Sequence, residues 1–328
     1  MPIIFQDLVY DHMPNQKIVP FLVLAFGVMV VSAAALMIRL AQETGAGSLA
    51  IAAGRLGIAA LLLTPIAWMR QGAELRRLDR RDLRLALGSG AFLALHFGAW
   101  ISSLAYTSVA SSVALVSTNP IWVGLASFLL LRERLQAGMI AGILLTFAGS
   151  VLIVLSDSSP AAAQLQPAPL LGNALALLGA AGVTGYFLIG RGLRERISLL
   201  SYVWLVYTTA AVLLLLAAWL AGQQLLGLHP TAYLAILVLA LGPQLLGHTS
   251  FNWALRRLSA TFVAVAILGE PVGAALLALE FLDEGFAPLQ LAGFILLLAG
   301  IGIAALAERD NQTPEQTDSP SYEVQRSE

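Results

Sequence analysis

The stretch Leu268-Gly269-Glu270-Pro271-Val272, with Leu282-Asp283-Glu284, Gly293 and Gly300 behind it, answers an earlier one at an offset of 151 residues. The earlier stretch is Asn119-Pro120-Ile121-Trp122, then Arg132-Glu133-Arg134-Leu135, Gly142 and Gly149. Pro120, Glu133, Gly142 and Gly149 thus recur as Pro271, Glu284, Gly293 and Gly300. Both copies lie within long apolar segments, so one membrane unit is present twice. An internal repeat of this kind is a mark of secondary transporters, which place their substrate site where the repeats meet.

Composition points the same way. Hydrophobic residues make up 58% of the 328 positions and charged residues 11%, too few polar groups to coat a water-facing globule. The net charge of -1 argues against a nucleic-acid partner. With no cysteine, disulfides, thiolate nucleophiles and cysteine metal sites are excluded. The segment before the first apolar run carries Asp7, Asp11 and Lys17 without a cleavable leader layout, and is expected to stay attached in the cytoplasm.

A transmembrane helix needs about 20 mostly apolar residues. That window gives spans near 20–41, 48–69, 83–104, 107–131 and 137–156, then near 169–191, 200–222, 231–254, 260–282 and 287–307. Positive residues stay on the cytoplasmic side of short loops. With the N-terminus inside, the inside segments hold 16 of the 18 lysines and arginines; Arg39 and Arg55 fall within spans near their outer ends. The expected fold is therefore all-α, ten transmembrane helices in two five-helix repeats, with both termini cytoplasmic. An odd number of helices per repeat makes the second copy enter from the opposite side, and such inverted repeats suit alternating access. The expected divisions are a cytoplasmic segment 1–19, repeats 20–156 and 169–307, a linker 157–168, and a polar, disordered tail 308–328.

The run Leu95-His96-Phe97-Gly98-Ala99-Trp100-Ile101, then Tyr106-Thr107-Ser108-Val109-Ala110, then the Asn119 and Arg132 stretches, resembles the EamA domain of the drug/metabolite transporter superfamily. The second copy, through Glu270-Pro271 and Asp283-Glu284, is similar to that domain's C-terminal version. The resemblance covers the chain between about Phe21 and Ala307 and implies a ten-helix inner-membrane permease whose two bundles enclose a central cavity. Ser32, Ala33 and Ala34 stand where many members carry a tryptophan-glycine pair in the first helix, a departure that bears on substrate choice.

A strongly polar side chain near the bilayer centre costs about 2.5 to 3.5 kcal/mol on insertion scales and needs a partner or a wet cavity. Counting inward, His96, Asn119, His248 and Glu270 fall about 10 to 20 Å deep, on helices three, four, eight and nine. Asn119 and Glu270 are repeat counterparts, and each precedes a proline, Pro120 or Pro271, that breaks the helix. Glu270 reads as a protonatable carboxylate that exchanges a proton or meets a substrate amine; a fixed hydrogen bond to a carbonyl is the alternative. Gln244, His248 and Asn252 form a polar stripe at i, i+4 and i+8, faced by His96, Trp100 and Ser103 and by Tyr186 of helix six. Each histidine can carry a proton or simply donate to a backbone carbonyl.

Arg55 is assigned to entry or gating: it could draw in an anionic group such as a substrate carboxylate, pair with Glu43, or snorkel outward along with Arg39. Glu133 and Glu284 are expected to lock loops. The Gly142, Gly149, Gly293 and Gly300 face is read as packing, with a homodimer seam as its other use. No Walker loop, paired-carboxylate mouth or metal spacing occurs, so neither an enzyme, a cofactor nor direct ATP drive is expected. The function expected is export of a small metabolite, an amino acid first among them, through a central cavity lined by helices three, four, eight and nine, with proton coupling through Glu270 as a rider. A phosphorylated sugar is disfavoured for want of a midplane cation. The alternatives are a lipophilic-cation drug exporter, a lipid flippase and a membrane sensor that binds a ligand without moving it.

Overall fold

The computed structural model describes residues 18–107, 112, 115–116, 118–132, 135–157, 168–273, 276–277 and 288–312. Among these, seven helices are long and apolar enough to cross a bilayer, and three shorter apolar ones, Asn119–Leu130, Ala137–Leu152 and Ala260–Gly273, bring the number to ten. The chain is an all-helical membrane protein of two inverted five-helix repeats.

In chain order the first repeat runs through α1 (Val19–Val31), α2 (Ala34–Glu43), α3 (Ser48–Arg77), α4 (Arg80–Ser103), α5 (Asn119–Ala126, with a π-turn at Ser127–Leu131) and α6 (Ala137–Asp157). The second runs through α7 (Pro169–Arg194), α8 (Leu199–Leu220), α9 (Pro230–Leu239), a π-wound stretch Ala240–His248, α10 (Thr249–Ala254), α11 (Ala260–Ile267) and α12 (Pro288–Gln312). α1 and α2 are one span interrupted at Ser32, whose hydroxyl donates to Val28 O at 2.9 Å. That local bond competes with the backbone ladder and loosens the helix. Helix starts are set by recognisable chemistry. Pro20, Pro169 and Pro230 occupy first-turn positions where the missing N–H costs nothing, and Asp79, Ser198 and Ser259 cap through their side chains.

Each helix packs on one from the other repeat: α3 on α8, α6 on α12, α5 on α11, α4 on α7, and α1–α2 on the α9–α10 segment. Apolar burial gives little drive here, because lipid is as apolar as leucine, and close backbone approach takes its place. Gly142 faces the carbonyl of Gly300, where a Cβ would come within 2.8 Å, and Gly149 faces that of Gly293, where it would come within 2.6 Å. The glycine face considered for a dimer seam is therefore used inside the chain, between α6 and α12. A second seam went unread: on α7, Gly172, Gly179, Gly182 and Gly185 admit Thr107, Trp100, His96 and Phe92.

The helix ends are tied across repeats. Glu74 accepts from Ser198 N at 2.7 Å and Ser201 Oγ at 2.8 Å, and Gln223 accepts from Ala50 N, the repeat counterpart of Ser201, at 3.1 Å. At the arginine-rich end, Glu308 accepts from Ser259 N at 2.6 Å and Ser259 Oγ at 2.7 Å. This anchor carries α12 to Gln312, past the boundary at 308 where the disordered tail was expected to begin. Outward faces carry Leu61, Leu144, Leu216 and Ile295, all exposed and apolar, as a lipid-facing surface requires.

Candidate substrate site at the repeat interface

The two repeats meet at a pair of counterparts. Phe97 of α4 and His248, at the end of the π-wound stretch, are 151 residues apart and touch edge to face with ring centroids 5.1 Å apart. Repeat counterparts in contact must straddle the axis relating the repeats, so these rings lie on that axis, as the α6–α12 seam does.

Around that contact the polar residues fall into two groups. In the first, every bond is internal. His96 Nδ1 lies 2.9 Å from Gly179 O; a carbonyl only accepts, so Nδ1 carries the hydrogen and the ring is anchored to α7. Ser103 Oγ donates to Trp100 O at 2.7 Å and meets Ser112 Oγ at 2.6 Å. Tyr186 OH donates to Asn252 Oδ1 at 2.7 Å, and Asn252 Nδ2 donates to His248 O at 2.9 Å. Tyr207, not picked out from the sequence, joins this knot through Thr249 Oγ1 at 3.2 Å and Gln244 O at 3.3 Å.

The second group is buried without hydrogen-bond partners among the described residues. It comprises Arg55 Nε, Nη1 and Nη2, both amide atoms of Gln244, His248 Nδ1 and Trp100 Nε1; Asn119 Oδ1 on α5, and the hydroxyls of Ser127, Thr208 and Thr261, are unpartnered as well. Arg55 is 1% exposed, with its guanidinium 4.2 Å from the Phe97 ring centroid. Glu43 instead pairs with Arg39 at 3.4 Å on the surface. The alternatives of pairing with Glu43 or snorkelling outward therefore give way to a buried cation: its start near the outer end of α3 is offset by a side chain long enough to reach the Phe97 ring. Leaving such groups unpaired costs about 1–3 kcal/mol each, more for a charge, so a satisfied state of the protein must supply partners.

Gln244 owes its position to the winding. Pro243 lacks an N–H, and the stretch from Ala240 to His248 adopts i to i+5 bonding, a form concentrated at functional sites. Along this stretch Asn252 bonds to Tyr186, while the Gln244 amide and His248 Nδ1 have no partner among the described residues. Trp100 stacks on His96, ring centroids 5.9 Å apart and 7° from parallel.

The chain also breaks at Thr118 and at Leu268–Gly269, and Pro120 and Pro271 sit in the first turn of the helical segment that follows each break. Glu270, in that turn, is half-buried. Gly273, one turn on, packs against Ser32, where a Cβ would meet Oγ at 2.1 Å. The break in the first span and the break before Glu270 thus lie against each other. Glu133 and Glu284 fall outside the described residues.

Toward the end opposite the arginine cluster, a cleft of about 580 Å³ opens among Arg39, Gln42, Ser48, Ser102, Tyr106 and Gln223.

Known proteins agree with this architecture. The profile of the EamA-like transporter family matches residues 19–155 and again 170–306. "Uncharacterized transporter YxxF" of Bacillus subtilis (strain 168) is 23% identical over 266 residues, covering 80% of this chain and 83% of that protein. A solved crystal structure 20% identical in sequence shares the fold at a TM-score of 0.74, covering 90% of this chain and 99% of its own. With its family profile matched once per repeat over most of its length, the chain belongs to the EamA-like transporters, multi-pass membrane proteins of small substrates.

Proposed function

We propose that the protein is a secondary exporter of a small zwitterionic metabolite, an amino acid in the first instance, working by alternating access around the Phe97–His248 contact. The observation that carries this reading is the group of buried polar atoms lacking partners among the described residues at the repeat interface, where transporters of inverted-repeat design hold their substrates. Glu270 offers a carboxylate for an amine or a coupling proton, and the half-buried Trp100 offers an apolar wall. A buried arginine at the centre counts against the lipophilic-cation exporter, because it would repel that cargo. In this reading the repeats are 20–156 and 169–307, joined by 157–168, in an inner membrane with both termini cytoplasmic.

Counterflow in proteoliposomes tests the proposal. Vesicles loaded with unlabelled amino acids should accumulate label of one chemical class, and an imposed pH gradient should change the rate in the wild type but not in Glu270→Gln. Binding of a metabolite without flux would favour a sensor instead; a pH response retained in Glu270→Gln would remove the proton role.

A further inference from the structure

We infer that Arg55 is the receptor for a substrate carboxylate, with the Gln244 amide beside the same central contact as a second donor, so that a free carboxylate monoanion is the obligatory recognition element. This rests on the transport reading and narrows its substrate class.

The argument is one of charge and satisfaction. Arg55 is 1% exposed, and none of its three guanidinium nitrogens finds an acceptor among the described residues. Buried structural arginines are held: Arg194 of the same molecule donates to the carbonyls of Asn252 and Ile197. Among the described residues Arg55 has a ring face, Phe97 at 4.2 Å, and no acceptor for its three guanidinium nitrogens. A planar fork of N–H groups matches a carboxylate in two-point geometry.

Gln244 is fully buried with its amide nitrogen and oxygen both unpartnered, and the π-wound stretch that carries it packs on α3, the helix of Arg55. Its nitrogen can donate to the same anion while its oxygen accepts from an adjacent ammonium.

Charge balance selects the anion. Among the described residues Arg55 makes no ion pair with Glu270, and an ionised Glu270 would balance that buried cation. A dianionic phosphate would leave this pocket doubly negative, whereas a carboxylate completes Arg55 and an ammonium on the same molecule completes Glu270. The arrangement disfavours simple amines and cationic drugs, which bring no anion to Arg55.

The experiment is counterflow with the full chain, using a mixture of labelled L-amino acids as probe. Competitors come in matched sets: the free acid, its amide, its decarboxylated amine, its 2-hydroxy acid, and inorganic phosphate. The amide and amine are expected to compete about 100-fold less well than the acid, because a site built for a polar group is left unpaired by an analogue lacking it.

Arg55→Gln should lose flux and ligand-induced thermal stabilisation, yet unfold at or above the wild-type temperature when ligand-free, since an unmatched buried charge has been removed. A merely structural arginine would lower that temperature instead. Arg55→Lys, keeping charge without the fork, should retain binding weakened about tenfold. Should the acid and its amide compete equally, or Arg55→Gln transport as wild type, the inference fails while the transport reading survives. Exchange of 2-hydroxy acids but not amino acids would keep the carboxylate site and overturn the amino-acid reading. Exchange of cations or phosphate alone, or no exchange at all, overturns both.

Discussion

Helix α4 and the α9–α10 segment hold equivalent places in the two repeats, yet one is a continuous α-helix over 24 residues and the other passes through 9 π-wound residues around Pro243. Each carries a histidine beside the central contact. His96 on the regular helix is bonded to the carbonyl of Gly179, whereas the Nδ1 of His248 on the irregular one has no partner among the described residues. The comparison teaches that equivalent segments in an inverted repeat divide labour: one side anchors the scaffold, the other presents unsatisfied groups to a ligand.

The largest expected effect comes from the glycines that let these segments approach their neighbours. A Cβ at Gly182 would lie 2.7 Å from the backbone N of His96, while one at its mirror contact, Gly247, would meet the side chain of Val31 at 2.3 Å. Backbone cannot move aside, but a valine methyl can. Gly182→Ala should therefore cost at least the roughly 1–3 kcal/mol typical of overpacking and sharply lower folded yield in size-exclusion profiles. Gly247→Ala should cost less and be restored by Val31→Ala. Equal losses that Val31→Ala does not relieve would show that the two seams do not differ.

Next in size is the histidine pair. His248→Ala should weaken substrate affinity about tenfold with folded yield near wild type, as expected for loss of one ligand bond. His96→Leu should instead lower thermal stability by about 1–3 kcal/mol, by leaving the Gly179 carbonyl unpaired, with affinity per folded molecule kept. The reverse pattern would swap the assigned roles.

A smaller effect is expected at Pro243. Pro243→Ala permits ordinary α-winding, which would turn Gln244 and His248 away from the centre; affinity should fall several-fold, up to about tenfold, while the melting temperature stays or rises. Substrate affinity at wild-type level would show that the winding does not position the site.

The smallest lies at the start of α4. Asp79 caps the helix by accepting from Asp82 N at 2.6 Å, and that hydrogen bond holds its carboxyl below the usual range. A depressed folded value means the stabilisation is present above the unfolded pKa, about 3.9, and is lost as pH falls through the folded one. Asp79→Ala should thus lower the melting temperature slightly at neutral pH and flatten its acid dependence; an unchanged acid limb would place the sensitivity elsewhere.

The spans were legible because apolar runs and arginine-bearing loops follow directly from the bilayer, and the repeat was legible because Pro120 and Pro271 recur in register. What lay beyond the sequence was which polar atom finds which partner. Asn252 and His248 look alike in a stripe, and only the arrival of Tyr186 from α7 separates them. Arg55 was placed by its Cα depth, which underestimates the reach of a long side chain. The α7 glycines were visible at short spacing, but their meaning depended on α4 being the neighbour.

Because the chain contains no cysteine, its central claim can be tested by single replacement. His248→Cys and His96→Cys would be labelled in proteoliposomes with a small membrane-permeant thiol reagent, with and without the transported amino acid. Substrate should slow labelling at position 248 and leave position 96 unchanged. Protection confined to position 96, or none at either, would contradict a substrate site on the π-wound side of the repeat interface.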